Sequence, residues 1–513
     1  MFLKIIEKLH NKYFLTLLCS ISAILFLSIA YNSFGYDDEY WNIRMIEENS
    51  LIGLVTNIQT SDVHPPLSYI INFSLYKTFH NWQIVRLISA LLYLVTLGYA
   101  ILKTKEKEAQ LILILLLGFN PTIMLWVTSI RWYAYAVPLL MLLNIPLDKN
   151  NKFYWYYFFG GFLILSFLSY IGMILIIPYF IWYFIRQEDS IIKRIKKVII
   201  PGSIYILAYI YQVYLFLTVH RFNNIKDNQQ TFDIITSIKS YVSSVFSNQA
   251  IFPLSIFGII SLIGYLIVII IVIFSLLSKS IKIKEFIPFV IGSILYIITG
   301  LAGKLRNLVL LDISKAHLIG VFANNKYKKT FFIGILIILI SNTYGIYNVW
   351  SHQRTTKNAW NLPLNESVSL MENLEKINTK EVYFTFHPTY TYHLTIRNKN
   401  IISFYNNLYF DSTRIKTDIL KLNEELINNK INFNFILTYK GRSIEDGHYK
   451  EMIKTMKSLN ADSIKVYRLG FDSDFKLKQK VYPDYPEYTF YLYKYYGVKA
   501  NILGLKVWER NKL

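Results

Sequence analysis

Long apolar runs separated by short polar loops occupy the first 350 residues of the chain. A helix that crosses a bilayer upright needs about 20 apolar residues, and fewer suffice where its end dips into a cavity. Eleven runs fit this pattern: 13–31, 84–102, 110–128, 132–147, 153–170, 172–186, 198–219, 252–278, 286–302, 305–324 and 330–350. The pattern predicts a polytopic α-helical membrane protein with about eleven transmembrane helices.

Charged residues interrupt only one of these spans strongly. Asp312, Lys315 and His317 lie within 305–324, and charges inside a membrane need an aqueous or paired lining. Their spacing of i, i+3 and i+5 predicts that they pair with one another around a buried helix.

The pattern changes after Trp350, where the apolar runs shorten to strand length. Predicted strands fall at 381–386, 434–439, 464–467, 488–493 and 505–508, with helix-like stretches near 366–377, 414–429 and 447–459. Strands that alternate with helices predict a small α/β domain. We therefore divide the chain into a transmembrane domain at 1–350 and an α/β domain at 351–513.

Composition and charge support a membrane protein and set its orientation. Hydrophobic residues make up 53% of the chain, the mean hydropathy is +0.33, and the net charge is +21. The basic residues concentrate in alternate loops, which membrane topology explains better than a nucleic-acid partner does. The first run follows Lys4, Lys8 and Lys12 and is predicted to be an uncleaved signal anchor, so the N-terminus is cytoplasmic. An odd number of spans then places the C-terminal domain outside a cell membrane.

The loop at 32–83 is the predicted outer loop, because it holds six acidic residues and only two cations. Its apolar segment 67–79 is predicted to lie as a helix at the outer interface. Placing carboxylates beside so much apolar surface costs free energy, so these residues are expected to serve a reaction rather than packing. The loop is therefore the candidate active site. A carboxylate there can remove a proton from an attacking hydroxyl. Cations that could meet an anionic leaving group are scarce on this side: Arg131, Arg221, Lys226, Lys239, Lys304 and Arg306.

Three segments of the chain resemble landmarks of a known family. They are Asp38-Glu39 after the first span, Asp62-Val63-His64-Pro65-Pro66-Leu67 in the same loop, and Arg131-Trp132-Tyr133-Ala134 at the third span. In this order they resemble the GT-C glycosyltransferases of the protein O-mannosyltransferase and aminoarabinose transferase type. The resemblance implies that a sugar passes from a polyprenyl-phosphate carrier, here undecaprenyl phosphate, to an acceptor hydroxyl with inversion. The acceptor would be a glycan, a lipid or a protein of the cell envelope.

The same resemblance implies roles for individual residues. Asp38 matches the general base, and Glu39 beside it orients or binds. Asp62, His64 and Tyr133 are expected in the substrate pocket. The lipid phosphate is expected to meet Arg131, Lys304 and Arg306.

One departure from the family concerns metal binding. Many relatives carry a glutamate two residues before the landmark arginine, whereas Ser129 stands there in this chain. A monophosphate leaving group can be stabilised by arginine and lysine alone. We therefore predict no obligatory metal or other cofactor.

Simpler roles and other functions remain open at this stage. Asp37 could cap a helix that begins near Tyr40, and His64 could be an ordinary turn residue before proline. Arg131 could be an interfacial arginine that extends towards water, and Lys304 and Arg306 could serve topology alone. A flippase for lipid-linked sugars would predict ionisable residues along the inner spans and inverted repeats. An oligosaccharide polymerase or ligase would predict large arginine-rich outer loops.

Overall fold

The computed structural model describes most of the first 350 residues and six strands of the C-terminal part. The described ranges are 12–32, 37–61, 64–145, 147–148, 151–218, 234–247, 256–277, 283–299, 305–323 and 327–350, followed by the strand backbones between 381 and 510. The predicted helices at 366–377, 414–429 and 447–459 and the predicted strand at 488–493 lie outside the described residues.

All the described secondary-structure elements of the N-terminal part are helices. In chain order its helices are α1 (Lys12–Asn32), α2 (Asp37–Glu48), α3 (Leu51–Ser61), α4 (Leu67–Phe79), α5 (Trp82–Lys103), α6 (Lys107–Leu113), α7 (Pro121–Val127), α8 (Tyr133–Leu143), α9 (Tyr154–Leu168), α10 (Ile171–Arg186), α11 (Ile191–Thr218), α12 (Ile234–Ser247), α13 (Ile256–Leu277), α14 (Ile287–Ile298), α15 (Val309–Val321) and α16 (Lys328–Trp350). Short 3-10 turns at Ile283–Phe286 and Leu305–Leu308 precede α14 and α15.

Each of the eleven predicted spans contains a helix, but the helices differ in length. Within the described ranges, four are long and apolar enough to cross a membrane: Tyr13–Tyr31, Trp82–Lys103, Ile256–Ser275 and Lys328–Tyr347. Three shorter apolar helices, α8 to α10, lie between them. The predicted interfacial segment forms α4 with the predicted bounds. The chain is a multi-pass membrane protein by the number and composition of these helices.

The third predicted span is broken, and its break is stabilised by polar side chains. A π-helical turn at Ile114–Gly118 follows α6, and α7 then continues at an angle of 61°. The carbonyls of Leu117 and Gly118 accept hydrogen bonds from the hydroxyls of Tyr93 (3.0 Å) and Ser22 (2.7 Å). The side chain of Asn120 caps α7. The backbone groups released by the break therefore find partners within the protein, as a membrane interior requires.

Close helix packing elsewhere depends on two facing glycines. A Cβ atom at Gly264 of α13 would lie 2.8 Å from the carbonyl oxygen of Gly334 in α16, and one at Gly334 would lie 3.0 Å from the carbonyl oxygen of Gly264. Small residues of this kind let two membrane helices approach closely.

The aromatic run at 154–159 forms core contacts as well as a surface. We predict an interfacial belt from the sequence, yet Tyr154, Trp155, Phe158 and Phe159 are buried, and Tyr156 is exposed. The indole of Trp155 is surrounded by the rings of Phe158, Phe159, Phe180 and Phe184 on α9 and α10. The run therefore fixes the packing of α9 on α10.

The charged residues of α15 pair in two separate places. Lys315 Nζ lies 2.6 Å from Asp312 Oδ1 and also donates to the carbonyl of Val245 in α12. Asn120 donates to Asp312 Oδ2 at 3.3 Å. The prediction that His317 belongs to the same group is wrong, because its Nε2 lies 3.9 Å from Glu285 Oε2 instead. At i+5 the side chain points away from Asp312 round the helix.

Glu285 is the centre of the second charge cluster. It accepts hydrogen bonds from Arg186 (3.1 Å) and from the indole of Trp182 (3.0 Å). Burial pushes the pKa of Glu285 upward, but His317, Arg186 and Trp182 together outweigh it, so the pKa is held below its usual value.

The C-terminal part contains a mixed six-stranded sheet. Its strands are β1 (Glu381–Thr385), β2 (Asn400–Ser403), β3 (Asn432–Thr438), β4 (Ile464–Leu469), β5 (Tyr496–Ile502) and β6 (Leu505–Arg510). The order is β2-β1-β3-β4-β6-β5. The first four strands in this order are parallel, and β6 pairs antiparallel with both β4 and β5.

Two compact units divide the chain. One comprises residues 1–33 and 45–351, and the other comprises 34–44 and 352–513. The short segment that contains Asp38 and Glu39 is thus grouped with the C-terminal unit, although α2 itself is one continuous helix.

Candidate functional site

The predicted phosphate-binding arginine lies in a buried turn between α7 and α8. The hydroxyls of Thr128 and Ser129 donate to the carbonyls of Met124 and Trp126 at the end of α7, which also accept backbone N–H groups from the turn. Ser129 therefore has a structural hydrogen bond here. Arg131 is 4% exposed, so it is not a surface arginine that extends to water. A guanidinium that keeps its charge in such a place is suited to an anionic partner.

A second buried arginine supports this turn. Arg86, on α5, donates from Nη1 to the carbonyl oxygen of Thr128 at 3.2 Å. Its side chain is buried within a helix that is apolar enough to span a membrane. Sequence reasoning missed Arg86, although an arginine inside an apolar span is itself a signal of function or of a buried partner.

The structure brings the second and third sequence landmarks together. The ring of His64 lies 6.1 Å from that of Trp132, measured between centroids. Trp132 packs in turn on Tyr133 at 3.9 Å, and Tyr133 lies 5.1 Å from Trp126. The His64 turn and the Arg131 turn therefore share one aromatic cluster, which we call the landmark cluster: His64, Arg131, Trp132 and Tyr133.

Helix α4 is held against α8 by a buried hydrogen bond. The hydroxyl of Tyr135 donates to Asn72 Oδ1 at 2.6 Å, and both side chains are buried. Because His64 lies three residues before the start of α4 and Arg131 lies two residues before the start of α8, this bond also limits the distance between the two turns. A buried polar contact of this kind specifies position as well as adding stability.

The first landmark lies in the first turn of α2. The helix begins at Asp37, so the sequence expectation that Asp37 caps a helix from Tyr40 places the start too late. Acidic residues in a first turn interact favourably with the helix dipole. Glu39 is fully buried and shares its helix face with Ile43 and Ile46. The side chain of Asp38 lies outside the described part of the chain.

The other end of α2 is anchored to the helices that follow. Glu47 Oε1 accepts a hydrogen bond from the indole of Trp82 at 2.8 Å, at the start of α5. Trp82 stacks on Tyr76 of α4, with ring centroids 4.2 Å apart. Burial is the largest cause, followed by the charge and the hydrogen bond of Glu47, and together they raise the pKa of Tyr76 to about 12. Glu47 thus ties the C-terminal end of α2 to α4 and α5.

The remaining predicted site residues have no described side chain. Asp62 and Lys304 lie outside the described residues, and Arg306 lies in the Leu305–Leu308 turn without a described side chain. Among the side chains that are described, no group of three or more His, Cys, Asp or Glu residues is placed to hold a metal ion. The metal prediction therefore stays a prediction.

Comparison with known proteins identifies the fold. No protein-family model matches the chain, and no curated protein sequence does. Two solved structures of ArnT from Cupriavidus metallidurans are similar over almost the whole length. The apo structure has 9% sequence identity, a TM-score of 0.52, and coverage of 97% of each chain. The structure bound to undecaprenyl phosphate has 10% identity, a TM-score of 0.48, and coverage of 97% of this chain and 98% of that one.

The apo structure establishes what the two chains share. With a TM-score of 0.52 over 97% of both chains, this chain shares its fold with ArnT, as a helical polytopic membrane protein. The fold class predicted from the sequence, a helical polytopic membrane protein with a C-terminal α/β domain, is confirmed. At 9% identity the likeness concerns the fold, and residue roles rest on the geometry above.

Proposed function

We propose that this protein is an inverting glycosyltransferase that moves a single sugar from a polyprenyl-phosphate carrier to an acceptor hydroxyl of the cell envelope. One observation carries the proposal: in a GT-C fold, the His64 turn lies against the Arg131 turn. Undecaprenyl phosphate is the proposed carrier, because the ArnT structures include one bound to that lipid. The reaction takes place at the outer face, with the N-terminus cytoplasmic and the C-terminal domain outside.

The lipid phosphate is proposed to bind at Arg131. A buried guanidinium offers two parallel N–H donors to phosphate oxygens and stays charged at every physiological pH. Arg86 acts through the backbone, because it holds the carbonyl of Thr128 three residues before Arg131. Lys304 and Arg306 are proposed to add charge on the same phosphate. The polyprenyl tail lies along the apolar helices.

Asp38 is proposed as the general base. It takes the proton of the acceptor hydroxyl while that oxygen bonds to the anomeric carbon, and the bond from that carbon to the phosphate oxygen breaks. The polyprenyl phosphate leaves with the electron pair of the broken bond, and its charge is stabilised by Arg131. Attack opposite the leaving group inverts the anomeric carbon. Glu39, Asp62, His64 and Tyr133 are proposed to contact the sugar or orient the base.

Mass spectrometry of cell-envelope glycans tests this proposal. Cells that lack the gene are complemented with wild type, with Asp38→Asn or with the matched control Asp37→Asn, at equal amounts in the membrane. We expect one sugar mass to disappear in the deletion, to return with wild type and Asp37→Asn, and to stay absent with Asp38→Asn. Full restoration by Asp38→Asn would exclude Asp38 as the base, and an unchanged glycan profile in the deletion would exclude the transferase.

A further inference from the structure

Buried tryptophans in this protein differ in what their indole N–H groups contact. Trp82 donates to Glu47 at 2.8 Å, and Trp182 donates to Glu285 at 3.0 Å. Trp132 is 1% exposed, yet its Nε1 finds no hydrogen-bond acceptor in the part of the chain that the structure describes. Leaving a buried donor without an acceptor is unfavourable, and most buried donors in native proteins form a hydrogen bond with a protein group, an ordered water or a ligand.

The surroundings of Trp132 indicate what kind of acceptor its indole N–H binds. Its ring lies 6.1 Å from that of His64 and 3.9 Å from that of Tyr133, and Arg131 precedes it in the chain, so Trp132 has polar and cationic residues beside it in space or in sequence. Trp155 provides the contrast. Its Nε1 is also without an acceptor among the described residues, but phenylalanine rings surround it, and such a site is not built for a polar ligand.

We infer that the indole N–H of Trp132 is a binding group for the donor substrate and donates a hydrogen bond to one of its oxygens. This inference rests on the proposed function, since it adds a neutral donor beside the Arg131 charge. The acceptor is a phosphate oxygen or a sugar hydroxyl of the lipid-linked donor, both of which accept from an indole N–H. An indole stays neutral at physiological pH, so its N–H orients the bound oxygen without adding charge to the site.

The test removes the N–H and keeps the ring. Trp132→Phe retains an aromatic ring beside His64 and Tyr133. Replacement of Trp132 by 3-benzothienylalanine keeps the size of the indole and exchanges the N–H for sulfur. Trp155→Phe is the matched control, because it removes an equally buried indole N–H outside the landmark cluster. Each purified protein is examined for its melting temperature without ligand, for its binding of undecaprenyl phosphate, and for glycan transfer in complemented cells.

The expected pattern separates ligand binding from packing. Loss of one hydrogen bond to a charged acceptor weakens binding by about tenfold or more. The 3-benzothienylalanine variant should melt at the wild-type temperature without ligand, whereas the thermal shift caused by undecaprenyl phosphate should shrink. If the lipid phosphate still binds normally but transfer falls, the acceptor is a sugar hydroxyl. The control variant should match wild type in both binding and transfer.

Two results would overturn the inference about Trp132. A third, separate result would overturn the proposed function itself. Unchanged lipid binding together with unchanged transfer in the 3-benzothienylalanine variant would overturn it. A lower melting temperature without ligand, combined with an unchanged affinity, would assign the N–H to folding and also overturn it. If wild type itself neither binds undecaprenyl phosphate nor transfers a sugar, the proposed function fails before Trp132 is considered.

Discussion

Two regions of the helical unit bury charge, and they satisfy it differently. In the Asp312–Lys315 region, the ammonium contacts a carboxylate and a backbone carbonyl, and the carboxylate also accepts from Asn120. In the landmark cluster, Arg131 is equally buried, and the neighbouring indole N–H of Trp132 has no acceptor among the described residues. In the first region the two charges are each other's ion-pair partners within the protein, as in structural ion pairs. The second offers a donor to a molecule that is not part of the chain.

The difference shows how a buried polar group can be assigned to structure or to function. Both regions are expensive to build, because each takes charge out of water. Lys315 also lies 4.5 Å from the ring centroid of Tyr265, so its ammonium is enclosed on several sides by protein groups. Such an enclosure holds helices α12, α13 and α15 together. The ammonium of Lys315 therefore has protein partners and is not placed to bind a substrate.

The largest effect is expected from breaking the complete pair. Lys315→Met leaves the Asp312 carboxylate buried without its cation, which should destabilise the protein by about 3–5 kcal/mol. The double variant Asp312→Leu with Lys315→Met should recover most of that loss, because neither charge remains. Melting temperatures of the purified proteins in one detergent measure both effects.

That experiment also tests the structural assignment. The double variant should bind undecaprenyl phosphate as wild type does. A double variant that is well folded but does not bind the lipid would place Asp312 and Lys315 in the functional site and contradict the comparison.

A smaller, pH-dependent effect is expected at Glu285. Because its folded-state pKa is held below the usual value of 4.5, its stabilising contribution is present above about pH 4.5 and is lost as the pH falls through the folded-state pKa. Glu285→Gln should therefore melt below wild type at pH 7, by an amount that corresponds to about 1 kcal/mol or less. The two melting curves should converge as the solution is acidified.

Convergence is the decisive feature of that comparison. A difference between the two proteins that stays constant down to pH 3 would show that the glutamine alters packing and that the charge of Glu285 contributes little.

Much of the fold follows from sequence pattern, and the exceptions have physical causes. Apolar runs locate all eleven helical segments because lipid exposure demands apolar side chains whatever the tertiary contacts are.

The break between Gly118 and Pro121 was not predicted, since Tyr93 and Ser22 satisfy its carbonyls from distant helices. Helix α11 begins at Ile191, before the predicted start at 198, because its basic first turns remain helical beyond the apolar segment. Strands β2 and β5 were missed, and β5 contains glycine, alanine and asparagine, which favour strands weakly.

The candidate site was predictable in part. Ordered landmarks located His64 and Arg131, and the structure brings their turns together. Arg86 was hidden by its apolar span, and Trp132 was named only as a member of its motif. Their importance depends on a tertiary carbonyl partner and on a missing acceptor, and neither is visible in a linear sequence.

The most direct test of the account compares two arginines at the ends of different helices. Undecaprenyl phosphate binding is measured for wild type, Arg131→Gln and Arg186→Gln. Arg186 forms an ion pair with Glu285 outside the landmark cluster, and Arg131 is the proposed phosphate ligand. We predict that Arg131→Gln weakens binding by about 100-fold, as loss of a charged hydrogen-bonding partner implies, and that Arg186→Gln binds like wild type. Equal binding by wild type and Arg131→Gln would contradict the central claim that the landmark cluster holds the lipid phosphate.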